Sequence, residues 1–140
     1  MTQIVVRPAT VDDVDAVLAL WAVGAENADR PTDSATDVER LLERDPAALV
    51  LVVDGDEVVG TVIVGWDGWR CHLYRLAVHP AHRRRGIGRT LLEHAEQRFT
   101  DAGGKRADAM VLDGNELGAA IWTDADYARQ PEWSRWVKPL

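Results

Sequence analysis

Along the chain, unbroken apolar runs alternate with stretches in which apolar residues recur every third or fourth position. Short runs bounded by turn residues predict strands, and the wider spacing predicts amphipathic helices. Ile4-Val5-Val6-Arg7 is the first strand, ended by Pro8. Thr10 to Asp13 reads as a capping box with Asp in place of Glu, opening a helix whose apolar stripe is Val14, Val17, Leu18 and Trp21. Gly24 and the polar segment 26–31 break it, and Asp33 or Ser34 then caps a second helix carrying Val38, Leu41 and Leu42, closed by Asp45-Pro46. Residues 49–53 predict a buried strand, Asp54-Gly55-Asp56 a turn, and residues 58–64 a third strand. Asp67-Gly68 carries the signature of a two-residue hairpin, with Trp66 and Trp69 facing each other and a fourth strand returning antiparallel from Arg70.

Leu73, Leu76, Ala77 and Val78 give that fourth strand its apolar bulk, and Pro80 stops it. Ile87, Leu91, Leu92, Ala95 and Phe99 mark a third helix that ends at Gly103-Gly104. A fifth strand over 105–112, a short alanine-rich helix over 115–124 and a last strand in the tail around Trp133, Trp136 and Val137 complete the order. The result is β-α-α-β-β-β-α-β-α-β, an α/β domain spanning residues 1–140 with no internal repeat or linker.

Between the fourth strand and the third helix lies Arg83-Arg84-Arg85-Gly86-Ile87-Gly88. A strand feeding a glycine-containing turn at a helix N-terminus aims several unpaired N–H groups at one point, where the helix dipole favours negative charge. Phosphate or pyrophosphate is the natural guest. Neither the dinucleotide fingerprint nor the Walker pattern is present, since Arg89 follows Gly88. The loop instead resembles the R/Q-x-x-G-x-G/A loop of the GCN5-related N-acetyltransferase (GNAT) family, and Val78-His79-Pro80 before it and Leu91-Leu92 after it fit the same family.

The resemblance implies a mixed, mostly antiparallel twisted sheet flanked by helices, with a splay between the fourth and fifth strands that admits the pantetheine arm of acetyl-CoA. It also implies that the backbone of Leu76, Ala77 and Val78 pairs with that arm, Val78 offering its amide to the thioester oxygen, and that Arg83, Arg84, Arg85, Gly86, Ile87, Gly88 and Arg89 surround the pyrophosphate. For Arg83 and Arg84, the alternative is a solvated surface arginine. His72 lies four residues before Leu76, at a position where several family members carry a catalytic glutamate. Alternation places it on the face of Tyr74 and Leu76. An imidazole there could take a proton from an ammonium near neutral pH, simply line the cleft, or sit on the outer sheet face.

Asn115-Glu-Leu-Gly-Ala-Ala-Ile-Trp resembles the family segment N-x-x-A-x-x-x-Y. Asn115 would bond the cofactor arm, cap a helix, or both. Trp122 stands at the cofactor where the family tyrosine protonates the thiolate, and Asp126-Tyr127 replaces the usual Gly-Phe. An indole N–H donates a hydrogen bond but gives up no proton at useful pH. The implied activity is transfer of acetyl from acetyl-CoA to a primary amine, direct in a ternary complex. A catalytically weak acyl-CoA-binding module is the first rival, and an interaction domain using the tryptophan-rich tail is the second.

Composition narrows the partners. A net charge of −7 argues against a general nucleic-acid binder. The one cysteine, Cys71, rules out an internal disulfide, and it is read as a buried, inert thiol. His79, His82 and His94 show no regular ligand spacing, so no metal site is expected. No signal peptide or membrane-spanning run stands out, giving a cytoplasmic expectation for a monomer or homodimer. The acceptor is expected to be a small-molecule or peptide amine. Glu26, Asp29, Asp33 and Asp37 could attract it, or serve as caps and surface charges; Trp133 and Trp136 could line its pocket, form a dimer contact or pack at an edge.

Overall fold

The computed structural model describes residues 3–24 and 32–140. Five strands hydrogen-bond in the order β1 (Ile4–Pro8), β2 (Leu49–Asp54), β3 (Glu57–Trp66), β4 (Cys71–Val78), β5 (Ala107–Ala109). The first four run antiparallel, and β5 joins β4 in parallel. Helices α1 (Val14–Gly24) and α2 (Ala35–Arg44) precede β2, α3 (Ile87–Ala102) lies between β4 and β5, and α4 (Glu116–Asp124) follows. Every residue of β2 is buried, as an unbroken apolar run requires when helices cover both faces of a sheet.

Alternation divides the core in two. Leu49, Leu51, Ile63 and Ala77 face Val17, Leu20 and Trp21 of α1, with Val38 and Leu42 of α2. Val50, Val52, Val62, Val64 and Leu73 face Ile87, Leu91, Leu92, Ala95 and Phe99 of α3. The helix starts follow the sequence signals. The Asp13 carboxylate accepts from the Thr10 N–H at 2.8 Å, and Ser34 Oγ accepts from the Asp37 N–H at 3.2 Å. Arg98 on α3 donates to both oxygens of Asp45 at 2.8 Å and to the Val64 carbonyl at 2.7 Å, pinning α3 to the sheet. At Gly60 a Cβ would meet Ile87 Cγ2 at 2.6 Å, so the missing side chain is what lets α3 sit this low on β3.

Four expectations need correction. The final strand is absent: residues 128–140 form none, and Trp136 is 93% exposed. With β5 only three residues long, the sheet offers that tail almost no edge to pair with. The strand expected over 105–112 is confined to Ala107–Ala109, the three residues that pair with β4. The β3–β4 hairpin closes on Trp66 and Cys71, not Trp66 and Trp69. Its four-residue loop is shaped by Asp67, whose carboxylate accepts from the N–H groups of Trp69 at 2.8 Å and Arg70 at 2.6 Å, leaving Trp69 in solvent. Those bonds hold the Asp67 carboxyl below its usual pKa. Finally, Leu76 lies on the strand face opposite His72, because β4 bulges between them.

Candidate active site

β4 does not run straight. Ile63 pairs with Tyr74 and Thr61 with Ala77, so Arg75 and Leu76 together oppose the single residue Val62. This is a β-bulge, and Arg75 adopts φ 53°, a left-handed conformation unusual for a side chain of its size. Three contacts hold it. Its carbonyl accepts from the buried Thr61 hydroxyl at 2.9 Å, and that oxygen in turn accepts from Trp21 Nε1 at 2.9 Å. Its guanidinium lies 5.5 Å from the centre of the Trp21 ring and donates to Asp33 at 2.8 Å.

The bulge reverses the alternation. Cys71 and Leu73 face α3 before it, and Leu76 and Val78 face α3 after it, so His72 and Leu76 lie on opposite faces. Register arguments from an unbroken strand fail at such a point.

β4 and β5 pair only over Cys71–Ala107, His72–Asp108 and Leu73–Ala109. Beyond Leu73 the two chains separate, leaving one side of residues 74–78 without a strand partner. The His79 N–H donates to the Val59 carbonyl at 2.8 Å, on the β3 side. Alternation along the backbone therefore turns the N–H groups of Val78 and Leu76 toward the open side.

The N-terminus of α3 lies at the top of this gap. Arg84 (φ 65°) and Gly86 (φ 74°) are both left-handed, and the helix starts immediately after Gly86. The first bond into the helix runs from the Thr90 N–H to the Gly86 carbonyl at 3.0 Å, so the N–H groups of Ile87, Gly88 and Arg89 precede the helical ladder. A left-handed residue followed by a helical one forms a concave nest of N–H groups suited to an anion.

The loop residues divide by role. Arg83 and Arg84 are exposed. Arg85 is exposed as well, but its guanidinium donates to Asp54 at 2.9 Å and to His82 Nδ1 at 2.7 Å, so its charge is already engaged. The Ile87 side chain is buried, leaving only its backbone to face a ligand. Gly88 is buried too, and a Cβ there would meet Ile121 Cγ2 of α4 at 3.2 Å, so its smallness serves helix packing. Arg89 pairs with Glu93 at 3.3 Å on the solvent side.

His72 Nδ1 lies 2.8 Å from Asp108 Oδ1, on the residue paired with it across the β4–β5 ladder. Bonded to an ionised carboxylate, a neutral imidazole carries its proton on Nδ1 and leaves Nε2 as an acceptor. Sequence reading missed Asp108, because the pairing depends on a register between strands 36 residues apart. Asn115 caps α4, accepting from the Gly118 N–H at 3.0 Å.

Trp122 is a core residue at 9% exposure rather than an open cleft group, packed edge-on against Tyr127 at 5.0 Å between ring centres. The Tyr127 hydroxyl donates to Glu96 at 2.8 Å. Burial first, and then that bond, push its phenol well above the usual tyrosine pKa, so it too is a poor proton source. Of the acidic residues expected to draw an amine, Asp33 is paired with Arg75 and Asp37 with Arg40, while Glu26 and Asp29 lie outside the described residues.

One grouping departs from the expectation of no metal geometry: His79 and His82 converge with Glu57. His94 is exposed on α3. Among the described residues, no helix is long and apolar enough to cross a membrane.

Residues 15–129 match the acetyltransferase (GNAT) family, and the chain belongs to that family. An acetyltransferase of Pectobacterium atrosepticum is 34% identical over 119 residues, covering 83% of this chain and 82% of that protein. Among solved structures, the PaiA N-acetyltransferase of Thermoplasma acidophilum, in complex with coenzyme A, matches with TM-score 0.77 at 15% identity, covering 87% of each chain. The yncA protein of Salmonella typhimurium, solved with its cofactor acetyl-CoA, matches with TM-score 0.70 at 21% identity, over 86% of this chain and 77% of that one. These likenesses bear out the fold class and the enzyme class, an N-acetyltransferase.

Proposed function

We propose that this chain transfers acetyl from acetyl-CoA to the primary amine of a small molecule or peptide in the cytoplasm, directly within a ternary complex. The observation that carries the reading is the gap between β4 and β5, with its outward N–H groups at Leu76 and Val78 and the anion nest of α3 at one end. The pantetheine arm would lie in that gap as a surrogate strand, and its pyrophosphate would accept from the N–H groups of Ile87, Gly88 and Arg89. Arg83 and Arg84 add charge from solvent. Arg85 instead fixes the loop through Asp54.

The Val78 N–H would donate to the thioester oxygen as the carbonyl becomes tetrahedral; one such preorganised donor is worth about 3–4 kcal/mol in well-formed sites. His72, oriented by Asp108, would accept the proton of the incoming ammonium at Nε2, directly or through one water. Among the described residues, no side chain of the cleft is placed to become acylated, which favours direct transfer. The leaving thiolate would take its proton from water or from the acceptor's ammonium, since neither Trp122 nor Tyr127 offers one.

A second reading, an acyl-CoA-binding module without transferase activity, is favoured by the burial of Trp122 and the engagement of Tyr127 with Glu96. Thiol release from acetyl-CoA across a panel of amines separates the two. Release that depends on the amine supports transfer; tight coenzyme A binding with no release under any amine supports the module.

A further inference from the structure

Away from the cleft, Glu57, His79 and His82 each bring one donor atom to a common point, all within 4.8 Å of one another. His79 caps and His82 ends a single 3₁₀ turn, Pro80–His82, which keeps the two side chains close together. Glu57 comes from across, at the first position of β3. We propose that these three side chains form a binding site for a divalent transition metal, with zinc as its occupant.

The donor set selects the ion. Two imidazole nitrogens disfavour magnesium and calcium, which take oxygen, whereas zinc takes histidine and carboxylate at about 2.0–2.2 Å. Tetrahedral bonds of that length put neighbouring donor atoms about 3.3–3.6 Å apart. His82 Nε2 already lies 3.3 Å from Glu57 Oε2, which is one edge of that tetrahedron. His79 Nδ1 accepts from the Ala81 N–H at 3.1 Å and its ring meets the His82 ring edge-on; loading the ion would end the Ala81 bond and turn the ring to offer a nitrogen lone pair.

Of the groups around His82, the Asp54 carboxylate suits a metal-bound imidazole, and Arg85 must give way to it. Ligation through Nε2 places the remaining His82 proton on Nδ1, and Asp54 Oδ2 lies 3.8 Å from that atom. Asp54 is 8% exposed, and its other oxygen, Oδ1, has no hydrogen-bond donor. A carboxylate behind a ligating histidine fixes the tautomer and raises the basicity of the ring. Arg85 now donates to His82 Nδ1; loading the ion would end that bond and leave Arg85 on Asp54 alone. Two carboxylates against one guanidinium leave a net negative charge to meet the dication. Three protein ligands leave a fourth position for water. The ion would tie the start of β3 to the segment that enters the phosphate loop.

The test uses the full chain, stripped with a chelator and dialysed. Zn²⁺ is titrated by calorimetry, and Co²⁺ by its visible absorption, which is intense only in a tetrahedral field. The expected result is one ion per chain with a tetrahedral cobalt spectrum. His82→Gln and Glu57→Gln should each weaken Zn²⁺ binding at least about tenfold. His94→Gln, on the exposed face of α3, should leave it unchanged. Circular dichroism of each variant confirms that it is folded. Failure to bind Zn²⁺, a weak octahedral cobalt spectrum, or equal affinity in the wild type and the folded His82→Gln and Glu57→Gln variants would overturn the site without touching the acetyl-transfer reading.

Discussion

The buried hydroxyl of Thr61 donates to the carbonyl oxygen of Arg75 at 2.9 Å, across the point where β4 bulges. Thr61 Oγ1 itself accepts from Trp21 Nε1 at 2.9 Å, so one threonine satisfies a helix and a strand at once. Thr61→Val keeps the shape but strands both the indole N–H and the carbonyl. The expected loss is about 1–3 kcal/mol of stability, read from chemical denaturation. Thr61→Ser should recover most of it. Acetyl transfer should fall further than stability alone explains, because the bulge sets which amides face the cleft.

His72→Ala should lower kcat by about 10²–10⁴ and flatten the ascending limb of the pH–rate profile. Asp108→Asn should cost less and should change kcat more than the KM for acetyl-CoA, since it acts by orienting the ring. An unaltered pH–rate profile in His72→Ala would return the histidine to cleft lining.

In the phosphate loop, Gly86 holds φ 74°, and a Cβ there meets nothing within 4 Å. Gly86→Val should therefore cost only backbone strain, about 1–2 kcal/mol, while its side chain stands where the pyrophosphate would approach. Coenzyme A binding should be lost, with the fold intact by circular dichroism. Arg83→Ala should weaken binding by about 1–2 kcal/mol. Unchanged affinity in Gly86→Val would refute the assignment of this loop.

Trp122→Phe should keep the transfer rate within about tenfold, below the range for loss of a general acid. Its cost should appear instead in stability, because the indole is buried against Tyr127. Trp122→Tyr should not raise the rate greatly; a hundredfold gain would mark the natural chain as a weakened enzyme.

Acid should loosen the entry to α1 first. Arg7 donates to both oxygens of Asp13 at 2.8 and 2.9 Å, and that pair, helped by the Thr10 N–H, lowers the Asp13 carboxyl to about 2. A depressed folded pKa contributes stability above the unfolded value of about 3.9 and loses it as pH falls toward 2. After allowance for solvent around Arg7, the contribution is about 1 kcal/mol. Asp13→Asn should remove that part of the pH dependence from denaturation midpoints measured between those limits.

What was legible in the sequence is what local chemistry writes. Gly86 and the arginines before it signal their turn within six residues, and Thr10 and Ser34 announce their helices within four. The Arg75 bulge was hidden because a left-handed residue without glycine or asparagine carries no local mark. Asp108 and Glu57 were hidden because their partners, His72 and His82, come from other strands or turns, and only pairing brings them together. The tail tryptophans misled because aromatic content favours a strand only where a sheet edge exists to receive it.

The gap beside β4 has a further consequence. A row of unpaired backbone groups is an open sheet edge, and such edges template pairing with other chains. In this chain the guest proposed for the edge is a small molecule, not another strand. Coenzyme occupancy would then guard solubility as well as supply the reaction. The chain emptied of its ligand is the form that should associate, and light scattering of the protein with and without coenzyme A would register the difference.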